Sequence, residues 1–528
     1  MKIRNDFMKC AVLGLAVSCA SARPVMTDPT PRTNPEPRNQ QVEAVAAPTR
    51  PPVRIVELRN EASTRVTFRV VLDVGSADDP TGREGMTRLM TRLMVEGGTR
   101  ALSFEQLTRR LFPMAATIHY QIDRDHVVIT GEAHRDHVQV FYPLLRDVLL
   151  APRFADEDFR RVKTQSLADL RLDLRGSSDE TLGKEVLQSV IYQGHPYGHP
   201  PVGTERGLEA ITLDELRAHY ARVVCVAGVT FGVAGSYPTA LLDTIRGDLS
   251  TLPAQCGERP ALTAVERPHG MHVVIVDKPA SSSTAISIGT PATVTRRDPD
   301  FGAVQFATNY LGLHRQSVGV LYQTIREARG LNYGDYAYAE HFDQEDGTRF
   351  PRSNIVRRQQ YTSVWIRPVP ARSAHFALRA AVRALDRVIH DGVPEGDLTR
   401  VRGFLDGYVG LYAQTESARL GYAIDDVFTG NAQGSWVTRT REGLSGLTVE
   451  TVRAAARQHL TAQDLWVAII APNAQELAQA IGANAPSPIT YDTPKPAEVT
   501  REDAEIAAYQ LPVRAEDVRV IPLAEVFR

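Results

Sequence analysis

Apolar residues along this chain fall into runs that alternate between strand-like and helix-like spacing. VTFRVVLDVG, Val66 to Gly75, is nearly continuously apolar and predicts a buried strand. In GREGMTRLMTRLMVEGGT, Gly82 to Thr99, residues Met86, Leu89, Met90, Leu93 and Met94 recur at helical spacing. A helix from Gly85 to about Met94 turns that stripe toward a core. Ser103 followed by Gln106 is a capping-box pair that opens a second helix in SFEQLTRRLF. IHYQI and HVVITGEA alternate apolar and polar positions and predict paired strands. VFYPLLRDVLL and the stretch from Ala155 to about Arg175 are helical by period.

The pattern then repeats. ITLDELRAHYARVVCVAGVTFGVAG, Ile211 to Gly235, resembles LTVETVRAAARQHLTAQDLWVAIIA, Leu447 to Ala471, at a constant offset. Both open on a threonine cap, carry Arg217 and Arg453 in matching places within a helix, and end in an apolar strand. STAISIGTPA, Ser283 to Ala292, is the counterpart of the Val66 strand, and a helix follows it from about Phe301. The expected fold is α+β: two homologous α/β sandwich domains in tandem, each an antiparallel-rich sheet with helices packed on it. The domains are placed at 53–262 and 263–483, with the linker near 255–270. A Pro-containing tail, 484–528, packs on afterwards or stays mobile.

The chain has 528 residues, 43% hydrophobic and 23% charged, with a formal net charge of −2. These are ordinary globular values. The charge gives no reason to expect nucleic acid as a partner. The N-terminus differs from the rest. Lys2, Arg4 and Lys9 precede the short apolar run CAVLGLAVS, which is too short to span a bilayer and has the form of a secretory signal, residues 1–22. AVSC, ending at Cys19, has the form of a bacterial lipobox, which would make Cys19 a lipidation site. ASA, ending at Ala22, fits an ordinary cleavage site. The first reading is favoured and makes this an exported bacterial protein, periplasmic or lipid-anchored to the outer membrane. Residues 23–52 are Pro-rich and poor in large apolar groups, as in a tether. Beyond the signal only Cys225 and Cys256 remain; an exported compartment allows a disulfide between them, or they are two separate thiols.

On the Met86 helix, Arg88, Thr91 and Arg92 share a face by helical spacing. A strand ending in Gly-Ser, a short loop, the Gly85-Met86-Thr87 entry, this helix and a Gly-Thr turn together resemble the start of insulinase/pitrilysin-type zinc peptidases, which include mitochondrial processing peptidase. Active members of that family carry H-x-x-E-H here, with two zinc-ligating histidines and a glutamate as general base. Arg88, Thr91 and Arg92 occupy those positions. A guanidinium has no lone pair for a cation and stays protonated, and threonine is no general base near neutral pH. The resemblance implies an acidic ligand on a later helix, and Asp169 stands at about that distance. Its carboxylate facing two arginines would replace a metal with an ion pair.

HPYGHPPVGT, His195 to Thr204, resembles the same family's loop before the last helix and strand of the domain. His195 and His199 sit there in a Pro/Gly turn and are not expected to ligate metal. His134 and His137 are likewise read as incidental. LYQTIREARGLNY, Leu321 to Tyr333, resembles the family's L-R-E-x-R-G-L-x-Y signature. The resemblance implies that Arg326 and Tyr333 contact substrate opposite a zinc. Charge alone also accounts for Arg326 and Arg329, as a cluster ahead of a helix-ending Gly330.

These readings lead to a non-catalytic insulinase-like subunit with no cofactor of its own. Zinc is expected only in a sister peptidase chain, and the ligand is an extended peptide or unfolded protein. Two alternatives are a stand-alone peptide-binding or assembly protein, and an active metallopeptidase with non-standard residues.

Overall fold

The computed structural model describes residues 51–343 and 349–528. The signal, Cys19 and the Pro-rich tether up to residue 50 lie outside the described residues. Two mixed sheets organise the rest. The first holds β1 (Arg54–Arg59), β2 (Arg65–Leu72), β3 (Thr117–Ile122), β4 (Val127–His134) and β5 (Val229–Gly235), in the order β1-β5-β2-β4-β3. The second holds β6 (Met271–Asp277), β7 (Thr284–Pro291), β8 (Asp335–Tyr338), β9 (Tyr361–Val369), β10 (Leu465–Ala471) and β11 (Val513–Pro522), in the order β11-β6-β10-β7-β9-β8.

Five strands of each sheet correspond. β1 and β5 are parallel, as are β6 and β10, and every later pair in both sheets is antiparallel. The sequence echo has the same physical basis in both halves. Thr212 and Thr448 each accept from the backbone N–H three residues on, capping the Leu213–Val223 and Val449–His459 helices that lead into β5 and β10. Arg217 donates to the Phe154 carbonyl at 2.9 Å, and Arg453 to that of His390 at 2.8 Å.

β11 has no counterpart in the first sheet. Of the two states expected for residues 484–528, the structure shows the packed one: they form the Ala497–Ala508 helix and then β11, parallel to β6. The buried side chains of Ile506 and Leu511 join the second core.

The halves exchange helices. The Asp179–Ile191 helix lies within the first half in sequence but packs on β7 and β10, while the second-half Glu416–Thr429 helix covers β1, β2 and β5. Both approaches depend on a glycine in the strand beneath. A Cβ added at Gly289 would stand 3.1 Å from Leu187, and one at Gly232 2.9 Å from Ile424.

Two expected elements end earlier than the sequence pattern suggests. The strand from Val66 stops at Leu72. Beyond it the chain turns against the β3–β4 connection, where Ser76 and Ala77 N–H groups donate to the Asp123 and Arg124 carbonyls. The helix from Ala155 is α-helical only over Asp156–Ala168; Asp169–Ser177 continue it as a wider π-helical segment.

Candidate functional site

The Met86–Glu96 helix begins at Gly85, whose φ of 104° is left-handed. Asp79, from the preceding loop, accepts the Gly85 and Thr87 backbone N–H groups, each at 2.7 Å. It thereby satisfies donors that a helix start leaves free. Burial pushes the Asp79 carboxyl up to about 6, against the pull of His199 and of these hydrogen bonds.

The apolar stripe predicted from sequence is buried: Met86, Leu89, Met90, Leu93 and Met94 are 1% exposed or less. Arg88 and Arg92 leave the other side of the helix and converge on one atom. Arg88 Nη1 lies 3.2 Å and Arg92 Nη1 2.8 Å from Asp169 Oδ2. Arg92 Nε also donates to Glu96 Oε2 at 3.0 Å, a helical-spacing pair. Burial alone would lower the Arg92 pKa; the Glu96 hydrogen bond and charge, helped by Asp169, outweigh it and raise the group.

Thr91, by contrast, does not reach the carboxylates. Its side chain is fully buried and its hydroxyl donates back to the Thr87 carbonyl at 2.8 Å. The spacing argument placed all three residues together. The structure gives them different partners, because a short β-branched hydroxyl is satisfied by its own helix, whereas two long guanidiniums reach outward for carboxylates.

Arg88 and Asp169 line a cavity of about 880 Å³. Asp123, Lys184 and, from the second half, Ser283 and His341 are also on its wall. β3 is an edge strand, and its Gln121 and Ile122 border the cavity. Lys184 Nζ sits 3.3 Å from the centre of the Trp365 ring, and burial brings its pKa down to about 7 against the pull of Glu180.

Behind the cavity a segment of the second half locks into the β3–β4 connection. Asp123 accepts two hydrogen bonds from Arg357, one of them at 2.6 Å, and Asp125 accepts from Arg358 at 2.7 Å. Burial would raise the Asp123 carboxyl, but the Arg357 charge overcomes it and holds the group below the usual carboxylate range. Sequence reasoning missed these residues. Nothing local links positions so far apart, although Glu96, four places after Arg92, carried a legible signal.

Arg326 and Tyr333 lie elsewhere. Neither is on the cavity wall. Arg326 is 39% exposed, pairs with Glu327 at 2.8 Å and lies over the Tyr322 ring; Tyr333 is 82% exposed. They flank Gly330, which has the left-handed φ of 70° expected of a helix-ending glycine. Arg329, between them in sequence, points inward and is buried. His195 is buried in its turn and accepts the Tyr197 N–H at 3.0 Å, while His199 contacts the Pro200 carbonyl. His134 accepts from the Asp136 N–H. Cys225 and Cys256 are joined as a disulfide, with Cα atoms 5.2 Å apart.

The donor set does not fit zinc. Two of the three helix positions are permanently cationic, the third is buried on its own helix, and the remaining carboxylate is neutralised by both arginines. Among the described residues no group of three or more His, Cys, Asp or Glu side chains is placed to hold a metal ion. No helix among them is long and apolar enough to cross a membrane.

Comparison with known proteins follows the same lines. Residues 54–205 match the family described as insulinase (peptidase family M16), and residues 210–405 match the peptidase M16 inactive domain. An uncharacterized zinc protease of Mycobacterium tuberculosis is 21% identical over 423 residues, covering 76% of this chain and 87% of that protein. A Helicobacter pylori protein described as the non-peptidase homolog YmxG is 21% identical over 390 residues, covering 73% and 84%. Among solved structures, a peptidase M16 inactive domain from Pseudomonas fluorescens superposes with a TM-score of 0.70 at 19% identity, over 80% of this chain and 96% of that one. A protease from Helicobacter pylori gives 0.68 at 12%, over 79% and 96%. With both family regions matched in order and the zinc motif replaced by Arg88, Thr91 and Arg92, the chain belongs to the M16 insulinase family as a degenerate, pseudo-peptidase member.

Proposed function

We propose that this chain is a non-catalytic subunit of the bacterial cell envelope that pairs with a zinc-bearing insulinase-like peptidase and helps hold extended peptides. The reading includes export through the N-terminal signal, with Cys19 as the site of a lipid anchor. One observation carries it: Tyr333 is exposed, Arg326 partly so, and neither lines the chain's own cavity. A guanidinium fork and a phenol suit a peptide carbonyl or developing negative charge. A pair that does not face the cavity of its own chain can serve a site on another. The unpaired edge of β3 beside the cavity supports the peptide component, since an extended segment can add to a sheet edge.

The test is purification from the native host followed by reconstitution. A stoichiometric zinc peptidase should accompany the chain. Arg326→Ala should cut cleavage by the reconstituted pair about tenfold or more while co-elution of the two subunits is unchanged. Undiminished cleavage by that variant rejects the role given to Arg326. Recovery of the chain without any peptidase favours a stand-alone peptide-binding or assembly role.

A further inference from the structure

We infer that residues 484–528 are a strap that positions the Arg326–Tyr333 segment at one end and the Asp169-bearing segment at the other. The inference takes its interest from the functional reading of Arg326 and Tyr333, but its geometry stands without it. The strap begins at Asn484, whose side-chain amide donates to the Leu511 carbonyl at 2.7 Å, while its own carbonyl accepts from the buried Arg379 at 2.9 Å. It then reaches the motif. Lys495 Nζ donates to the Ala328 carbonyl at 2.8 Å. Arg329 Nε donates to Asp503 at 2.8 Å and its Nη2 to Glu502 at 3.0 Å, both on the strap helix Ala497–Ala508. The third arm of the same guanidinium donates to the Thr324 carbonyl at 2.7 Å. Arg329 therefore fixes the backbone on which Arg326 and Tyr333 are carried. Its side chain is fully buried, so two charge-assisted bonds hold it in place.

Past the strap helix, β11 runs along the edge of the second sheet and the chain crosses to the first half. Val526 is buried in the first core, and the Phe527 carbonyl accepts from the Glu205 N–H at 2.9 Å. The Glu205 side chain takes Arg171 Nε at 2.8 Å and also pairs with Arg175. Both arginines belong to the π-helical segment Asp169–Ser177, whose first residue holds Arg88 and Arg92. One stretch of chain thus contacts the Arg326–Tyr333 segment directly and the Asp169 segment through Glu205, and among the described residues its strand is the one addition to an otherwise matched pair of sheets.

Hydrogen exchange on the full chain tests this. With Asp503→Asn and Glu502→Gln combined, amides of residues 325–334 should exchange about ten-fold faster or more, while amides of β2 and β4 keep their rates. Asp503→Glu retains the charge and should hold those amides near the parent rate. Removing residues 526–528 should speed exchange in 171–177 and 205–210 and leave 325–334 unchanged. Unaltered exchange in 325–334 for the double variant, or a uniform rise across both sheets for either the double variant or the truncated chain, overturns the inference. If the double variant does not fold, Glu502→Gln alone is read at the same amides by the same criterion. The measurement needs no partner chain, so its failure and that of the proposed pairing are distinguishable.

Discussion

Arg92 and Arg326 belong to the two stretches that most resemble peptidase chemistry, yet they are treated in opposite ways. Arg92 is 13% exposed and bonded to both Glu96 and Asp169, and Arg88 shares the second carboxylate. Arg326 is three times as exposed and paired only with its sequence neighbour at the surface. The first cluster is paired internally: each cation meets an anion within the same half. The second segment is anchored through Arg329 and leaves its other two functional groups outward. The difference teaches that loss of a zinc motif here is more than deletion. Those positions hold an internal ion-pair site, while the complementary segment has an anchored base and outward side chains.

The strongest way to break this comparison is Thr91→Glu. It places a carboxylate where a buried hydroxyl now bonds its own helix. The expected loss is about 3 kcal/mol of folding free energy, measured by urea denaturation. A loss below about 0.5 kcal/mol would mean that position 91 opens to the cavity after all. Asp169→Asn is next. It removes the common anion of two arginines in a partly exposed setting, and about 1–2 kcal/mol is expected. Arg326→Ala, by contrast, should stay within about 0.5 kcal/mol in the same assay. Equal losses for these two variants would erase the distinction between a closed cluster and an open segment.

A separate test is the pH dependence at Asp335, two residues past Tyr333. Burial pushes its carboxyl up to about 8, against the Asn332 hydrogen bond and the Arg367 charge. The folded state thus holds this proton more tightly than the unfolded chain does, where the carboxyl titrates at about 3.9. Its contribution is fully present below pH of about 4 and is lost as pH rises through about 8. Asp335→Asn keeps the group neutral. Relative to the parent, the variant should therefore gain stability between pH of about 5 and about 8.5. A constant difference across that range would mean the carboxyl is not held protonated.

Local patterns were the legible part of the fold. The methionine and leucine stripe, the capping boxes at Ser103, Thr212 and Thr448, and the repeated helix–strand unit all depend on neighbours a few residues apart. Part of the site was legible for the same reason, since Glu96 reaches Arg92 across one helical turn. The burial of Thr91 was not, because helical spacing sets it about 60° from Arg88 without saying where burial ends.

The sequence by itself determined which side chains could do chemistry: with Arg88, Thr91 and Arg92 on the first helix there is no ligand set for zinc, whatever the packing around them. It also determined the duplicated plan, because hydrophobic period and cap residues act over one or two turns. Only the tertiary structure decided which charges meet. It brought Arg357 to Asp123, turned Arg329 inward while leaving Arg326 out, and joined the tail to both halves. Those outcomes depend on loop closure over long stretches of chain and on the desolvation of each ion in a particular place. Neither quantity is carried by any short run of residues.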